Sequence, residues 1–190
     1  MTDADPPAPQ TAPFPLRPAR MHEAEGAGRR VFALYQALHH PGPLFWFLRA
    51  HEQGVPFLWG LPPGIAARLY LVHAASEADL LWTVEEALRS PAAGLVVAEP
   101  QEPLSLTAGR RMQLAAEAGQ TTAIMLIRQG AGCNAGETRW HCRPLLSSRG
   151  QALHEWRLLR DKRGVPKAWV LDWNGRGPDV AILSEATADV

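Results

Sequence analysis

Residues 69–98, LYLVHAASEADLLWTVEEALRSPAAGLVVA, decide the fold. Leu69-Tyr70-Leu71-Val72 is an apolar run of strand length. Ser76, with Asp79 three residues on, makes an acidic variant of the capping box that opens a helix. Leu80, Leu81, Val84, Ala87 and Leu88 then recur at helical spacing and give that helix one buried stripe. Gly94 to Ala98, GLVVA, is a second short apolar strand. Strand, helix and strand in this order form a crossover unit, whose right-handed connection leaves the two strands parallel.

Working outward, the same alternation continues. Upstream, Leu44-Phe45-Trp46-Phe47-Leu48 is apolar on both faces, as a buried parallel strand should be. Pro41-Gly42-Pro43 separates it from a helix over residues 29–39, with Val31, Leu34, Tyr35 and Leu38 on one face. A polar first strand over residues 20–24 precedes that helix, and a Gly- and Pro-rich connection fills residues 54–64. Downstream, Thr107 is the expected cap of a helix closed by Gly119, and Thr121 to Ile127 forms a further strand. Beyond Arg128 the pattern changes to successive strands over 138–146, 153–160 and 167–173, the last two joined by a turn at residues 161–164. The expected fold class is α/β: a mostly parallel sheet flanked by helices, with a C-terminal antiparallel extension. Residues 1–19, rich in Pro and Ala, read as a disordered leader, residues 20–175 as one domain, and residues 176–190 as a flexible tail.

Composition excludes several functions. Lys plus Arg and Asp plus Glu are 19 each, so no net field draws this 190-residue chain to nucleic acid or a membrane. Any contact with DNA must come from a local patch. The longest apolar stretches, such as Leu44 to Leu48, fall far short of the roughly 20 residues that span a bilayer. Acids and prolines stand where a signal peptide needs basic and apolar regions, which points to the cytoplasm. Cys133 and Cys142 are too few for a disulfide scaffold and read as reduced thiols. Together with His141 and His154 they lack the paired close spacing of a structural zinc site, so no metal is expected.

The junction of first strand and first helix is EAEGAGRR, residues 23–30. A working phosphate loop, G-x-x-x-x-G-K-[ST], uses glycines to close backbone N–H groups on phosphates, a lysine to reach the outer phosphates and a hydroxyl to ligate magnesium. With Gly28 at the second glycine, Glu23 takes the first, Arg29 the lysine and Arg30 the hydroxyl. Arginine has only donors and no lone pair for a metal. Hydrolysis of ATP by this loop is therefore not expected, and no cofactor is assigned. The loop reads first as a solvated glycine-rich turn. In the alternative, Gly26, Gly28, Arg29 and Arg30 at a helix N-terminus still hold an anion.

Glu99 ends the GLVVA strand, where a nucleotide-binding fold places a magnesium-linked acid, and reads first as a solvent-facing strand-end carboxylate. Arg110 and Arg111 form a basic pair on the following helix. Arg157, Arg160, Lys162, Arg163 and Lys167 form a second cluster, interleaved with Trp156 and Trp169. That interleaving suits single-stranded nucleic acid, with arginines on the backbone and indoles on the bases. The competing reading is a strand with its apolar side in and its basic side out.

The stretch at residues 69–100, followed by LSLTAGRRMQLAAEAGQTTAIMLIR at 104–128, resembles the ImuA family of RecA-like accessory proteins. TRWHCRPL at 138–145 and WRLLRDKRGVPKAWVLDW at 156–173 resemble that family's C-terminal strands. The resemblance implies a RecA-like fold and a place in damage-induced (SOS) error-prone translesion synthesis. It implies as partners the Y-family-like protein ImuB and a DnaE-type polymerase, with RecA also among the contacts. It supplies no catalytic residue. The resulting expectation is a pseudo-ATPase that works by docking, with Arg110, Arg111, Trp156, Arg157, Arg160, Arg163, Trp169 and Trp173 as its candidate surface. Two rivals are a SulA-type inhibitor of cell division and a residual DNA-binding ATPase that uses Arg29 in place of lysine.

Overall fold

The computed structural model describes residues 14, 16–51, 60–147 and 150–187. Its centre is one nine-stranded sheet in the order β3-β2-β4-β5-β1-β6-β7-β8-β9. The strands are β1 (Met21–Glu25), β2 (Leu44–Arg49), β3 (Leu69–Ala74), β4 (Leu95–Ala98), β5 (Thr122–Leu126), β6 (Thr138–Pro144), β7 (Leu153–Asp161), β8 (Lys167–Asp172) and β9 (Ala181–Thr187). β1 to β6 are mutually parallel, and β7, β8 and β9 follow by antiparallel pairing. The expected extension is thus present, except that its first strand, β6, joins β1 in the parallel sense.

Among the described residues three α-helices cover the sheet: α1 (Arg29–His39), α2 (Glu77–Leu88) and α3 (Leu106–Gly119). Alternation along the parallel strands explains why both faces need cover. Leu95, Val97 and Ile124 point to α1, packing with Phe32 and Tyr35. Val96, Ala98, Ala123 and Met125 point the other way, against Leu80, Val84 and Leu88 of α2 and Met112, Ala115 and Ala116 of α3.

The helix caps refine the sequence reading. The Ser76 hydroxyl accepts from the Asp79 N–H at 3.1 Å, as expected of the cap. α3 starts two residues earlier than Thr107 implies: Ser105 is its cap and accepts from the Ala108 N–H at 3.1 Å. Gly119 lies inside the helix, and it is glycine for close packing: an added Cβ would collide with the Leu88 carbonyl at the end of α2. Gln120, at φ 55°, makes the left-handed turn that glycine was expected to make.

Two boundaries differ from expectation. The tail assigned to residues 176–190 contains β9, which pairs with β8 through residues such as Ser184 opposite Val170. Its residues are all exposed, and its sequence, Ala181-Ile182-Leu183 followed by Ser184-Glu185-Ala186-Thr187, carries neither strand alternation nor an apolar run of strand length. Within the leader assigned to residues 1–19, Phe14 and Leu16 are buried in the aromatic core beside α1. Residues 1–13 and 15 of that leader, 52–59 of the connection, and 148–149 and 188–190 lie outside the described residues.

Candidate functional site

The β1–α1 junction closes on itself. β1 is buried along its whole length despite its polar sequence, because each polar side chain finds a partner. His22 contacts the Thr138 hydroxyl at 2.7 Å and the Arg17 carbonyl at 3.0 Å, and burial pushes its pKa down to about 4. Glu23, at the position of a phosphate loop's first glycine, accepts from Arg139 at 2.8 Å and from the Cys133 N–H at 2.8 Å. Glu25 accepts from the Gly130 N–H at 3.0 Å and meets His141 Nδ1 at 3.2 Å.

The glycines of the turn serve the approach of β6. The Gly28 N–H donates to the Cys142 carbonyl at 2.8 Å. Gly26 has φ +87°, and a Cβ there would run into that same carbonyl. A Cβ on Gly28 would sit 3.1 Å from the Arg143 nitrogen. An N–H that a phosphate loop would offer to its ligand is here spent on the neighbouring strand. Arg29 folds back and donates from Nη1 to the Gly26 carbonyl at 3.0 Å. The expected solvated turn is instead a packed one.

Arg30 and Glu99, the two positions that would share a magnesium ion, are joined to each other. Arg30 donates from Nε at 3.0 and 3.1 Å and from Nη2 at 2.7 Å to the Glu99 carboxylate. The Trp46 indole N–H donates to Glu99 Oε1 at 2.7 Å. Glu99 is 2% exposed, which corrects the expectation of a solvent-facing acid: the guanidinium and indole replace the water that a buried carboxylate loses. Sequence reasoning missed Trp46, since an indole in a strand apolar on both faces carries no mark of a polar partner. Among the described residues no group of three or more His, Cys, Asp or Glu converges in a way that could hold a metal ion.

The candidate surface residues separate. Trp156, Trp169 and Trp173 are buried, at 0%, 8% and 4% exposure, which corrects their assignment to a docking or base-stacking surface. Trp156 and Trp169 are direct cross-strand partners, and with Trp140, Phe14, Phe32 and Tyr35 they fill the space under α1. Phe14 meets Trp156 edge-on, with centroids 5.1 Å apart, and Tyr35 meets Trp173 the same way at 5.4 Å. The apolar-in, basic-out reading of these strands is the one the structure follows for the indoles and for Arg157, which faces out and pairs with Glu155 at 3.1 Å.

Arg160 is half-buried and donates to the carbonyls of Cys133, Asn134 and Gly136, so it fastens the β5–β6 loop. Arg163 is exposed at the β7–β8 turn, 3.5 Å from Glu137. Arg111 pairs with Glu85 of α2. Arg110 is exposed and lies in a groove of about 440 Å³ between α3 and the β7–β8 turn, lined by Leu106, Gln113, Leu114, Asn134, Ala135 and Lys162. The structure thus brings one member of each basic cluster, Arg110 and Lys162, to a single groove.

These features define a mixed-sheet α/β protein in which the strand–turn–helix junction of β1 and α1 is closed by its own arginines, glutamates and a neighbouring strand. No protein-family profile matches the chain. It is 34% identical over 169 residues to Protein ImuA of Caulobacter vibrioides strain NA1000 / CB15N, the match covering 78% of this chain and 68% of that protein. The same values hold for Protein ImuA of Caulobacter vibrioides strain ATCC 19089 / CIP 103742 / CB 15. The chain belongs to the ImuA family.

Proposed function

We propose that this protein is a non-catalytic, RecA-like accessory factor of damage-induced error-prone translesion synthesis. In this reading it docks a Y-family-like protein of the ImuB type and a DnaE-type polymerase, with RecA as a further contact, and acts in the cytoplasm. Among the described residues no helix is long and apolar enough to cross a membrane. Family membership supports the biological setting. The pseudo-ATPase part rests on one observation, the bidentate Arg30–Glu99 pair with Trp46 behind it. A guanidinium at the hydroxyl position offers magnesium no lone pair, and it neutralises the carboxylate that would hold a metal-bound water.

Docking needs no nucleotide, since interface energy comes from a few anchors set in complementary pockets. Two measurements test the reading together. Titration calorimetry with Mg-ATP should give no binding heat, and co-purification with the ImuB-type protein should give a stable complex. Tight Mg-ATP binding that Arg29→Ala abolishes, accompanied by turnover, overturns the pseudo-ATPase claim. Retention of neither the ImuB-type protein nor RecA overturns docking.

A further inference from the structure

We infer that the groove between α3 and the β7–β8 turn receives an acidic amphipathic helix from a protein partner. This rests on the docking reading above and adds the surface and the chemistry of what it binds.

α3 buries Gly109, Met112, Ala115 and Ala116 against the sheet but leaves Leu106 46% and Leu114 65% exposed. These two leucines stand about 12 Å apart along the helix axis, with Arg110 and Gln113 between them. Across the groove, Asn134, Ala135 and Lys162 form the opposite wall. Both walls are fixed. A Cβ on Gly109 would collide with Cys133 Sγ, so α3 lies directly on the β5–β6 loop. Arg160 holds that loop through three carbonyls, and Lys162 Nζ donates to the Ala135 carbonyl at 2.8 Å.

Charge selects the occupant. Arg110 and Lys162 are the charged side chains lining the groove, and both are cations. Arg163 lies one residue beyond Lys162, with its side chain 64% exposed. A partner helix that sets apolar residues on Leu106 and Leu114, about two turns apart, and carboxylates beside Arg110 and Lys162 satisfies the whole lining. Nucleic acid does not: the groove has no aromatic platform for bases, and a phosphate chain would leave both leucines in water.

The test titrates the full chain with the ImuB-type partner. Leu114→Asp and Arg110→Glu should each weaken binding on the order of tenfold or more, the size expected for an anchor. Trp82→Asp, at an exposed aromatic on α2, should leave binding within about twofold. Circular dichroism should show all three variants folded, since each replaced side chain is exposed. Hydrogen exchange over residues 106–117 should slow in the complex and nowhere else on α2 or α3. If the wild-type chain binds the partner and both groove variants bind it equally well, the groove is overturned and docking stands. If the wild-type chain does not bind this partner, the groove inference falls, and docking falls with it when RecA is not retained either. Binding of a single-stranded oligonucleotide that Arg110→Glu abolishes, with partner binding intact, reassigns the groove to nucleic acid and overturns the inference.

Discussion

The decisive contact in this molecule joins Arg30 to Glu99 across the crest of the sheet. A carboxylate 2% exposed would be costly alone, and two N–H donors from one arginine, with Nε shared between both oxygens, plus the Trp46 indole satisfy it. Truncating the arginine should therefore do more than delete a salt bridge. Arg30→Ala leaves the buried Glu99 carboxyl with Trp46 as its remaining side-chain donor and should cost about 2–3 kcal/mol, below the full buried-pair figure because the Arg30 side chain is itself 31% exposed. The double change Arg30→Gln with Glu99→Gln should cost less than Arg30→Ala, since the buried charge leaves with its partner. Urea unfolding checks both; equal stability of Arg30→Ala and wild type would mean the pair holds nothing. The sequence disclosed half of this site. Arg30 at the hydroxyl position was legible as a defect in a motif, whereas its pairing with Glu99 depends on β4 and α1 meeting in space, separated by 69 residues of chain.

At the scale of elements, β1, its turn and β6 form one packed unit, and the glycines record the fit. Gly26 and Gly28 read first as a solvated turn and in the alternative as the remnant of an anion loop, and in the structure both make room for the backbone of β6 at Cys142 and Arg143. Gly26→Ala should be the more harmful change, because it combines a φ of +87° with a collision against the Cys142 carbonyl. A loss of about 2–4 kcal/mol is expected. Gly28→Ala keeps an ordinary φ of −90° and meets backbone only at 3.1 Å, so about 1 kcal/mol is expected. Thermal unfolding of the two variants reads the order directly, and the reverse order would refute the packing account. The helices and buried strands were readable from periodicity, and the cap at Ser76 from local chemistry. The indoles of β7 and β8 were not. A Trp alternating with Arg in a strand shows the period but not which side is covered, and the cover comes from α1 and from Phe14, remote in sequence. β9 was invisible for the opposite reason, since both its faces are exposed and only its backbone pairing defines it.

Over the whole molecule, the question is whether the antiparallel extension is a separate body or part of the parallel sheet. The pairing of β1 with β6 makes the backbone ladder continuous from β3 to β9. The aromatic core crosses the same line: Phe32 of α1 lies 5.1 Å from both Trp140 of β6 and Trp156 of β7, and Tyr35 lies 5.0 Å from Trp156. Removing β7 to β9 would uncover the α1 side of the parallel half, and removing α1 would uncover the indoles, so neither part has a complete core of its own. One cooperative transition is expected. Far-ultraviolet circular dichroism reports chiefly on the three helices of the first half, and indole fluorescence is weighted toward Trp140, Trp156, Trp169 and Trp173 of the second. The two urea curves should coincide in midpoint and slope. A fluorescence transition at lower urea than the helical one would show the extension opening by itself. That outcome would also loosen the groove beside α3, because its far wall is held by Arg160 and Lys162 at the end of β7.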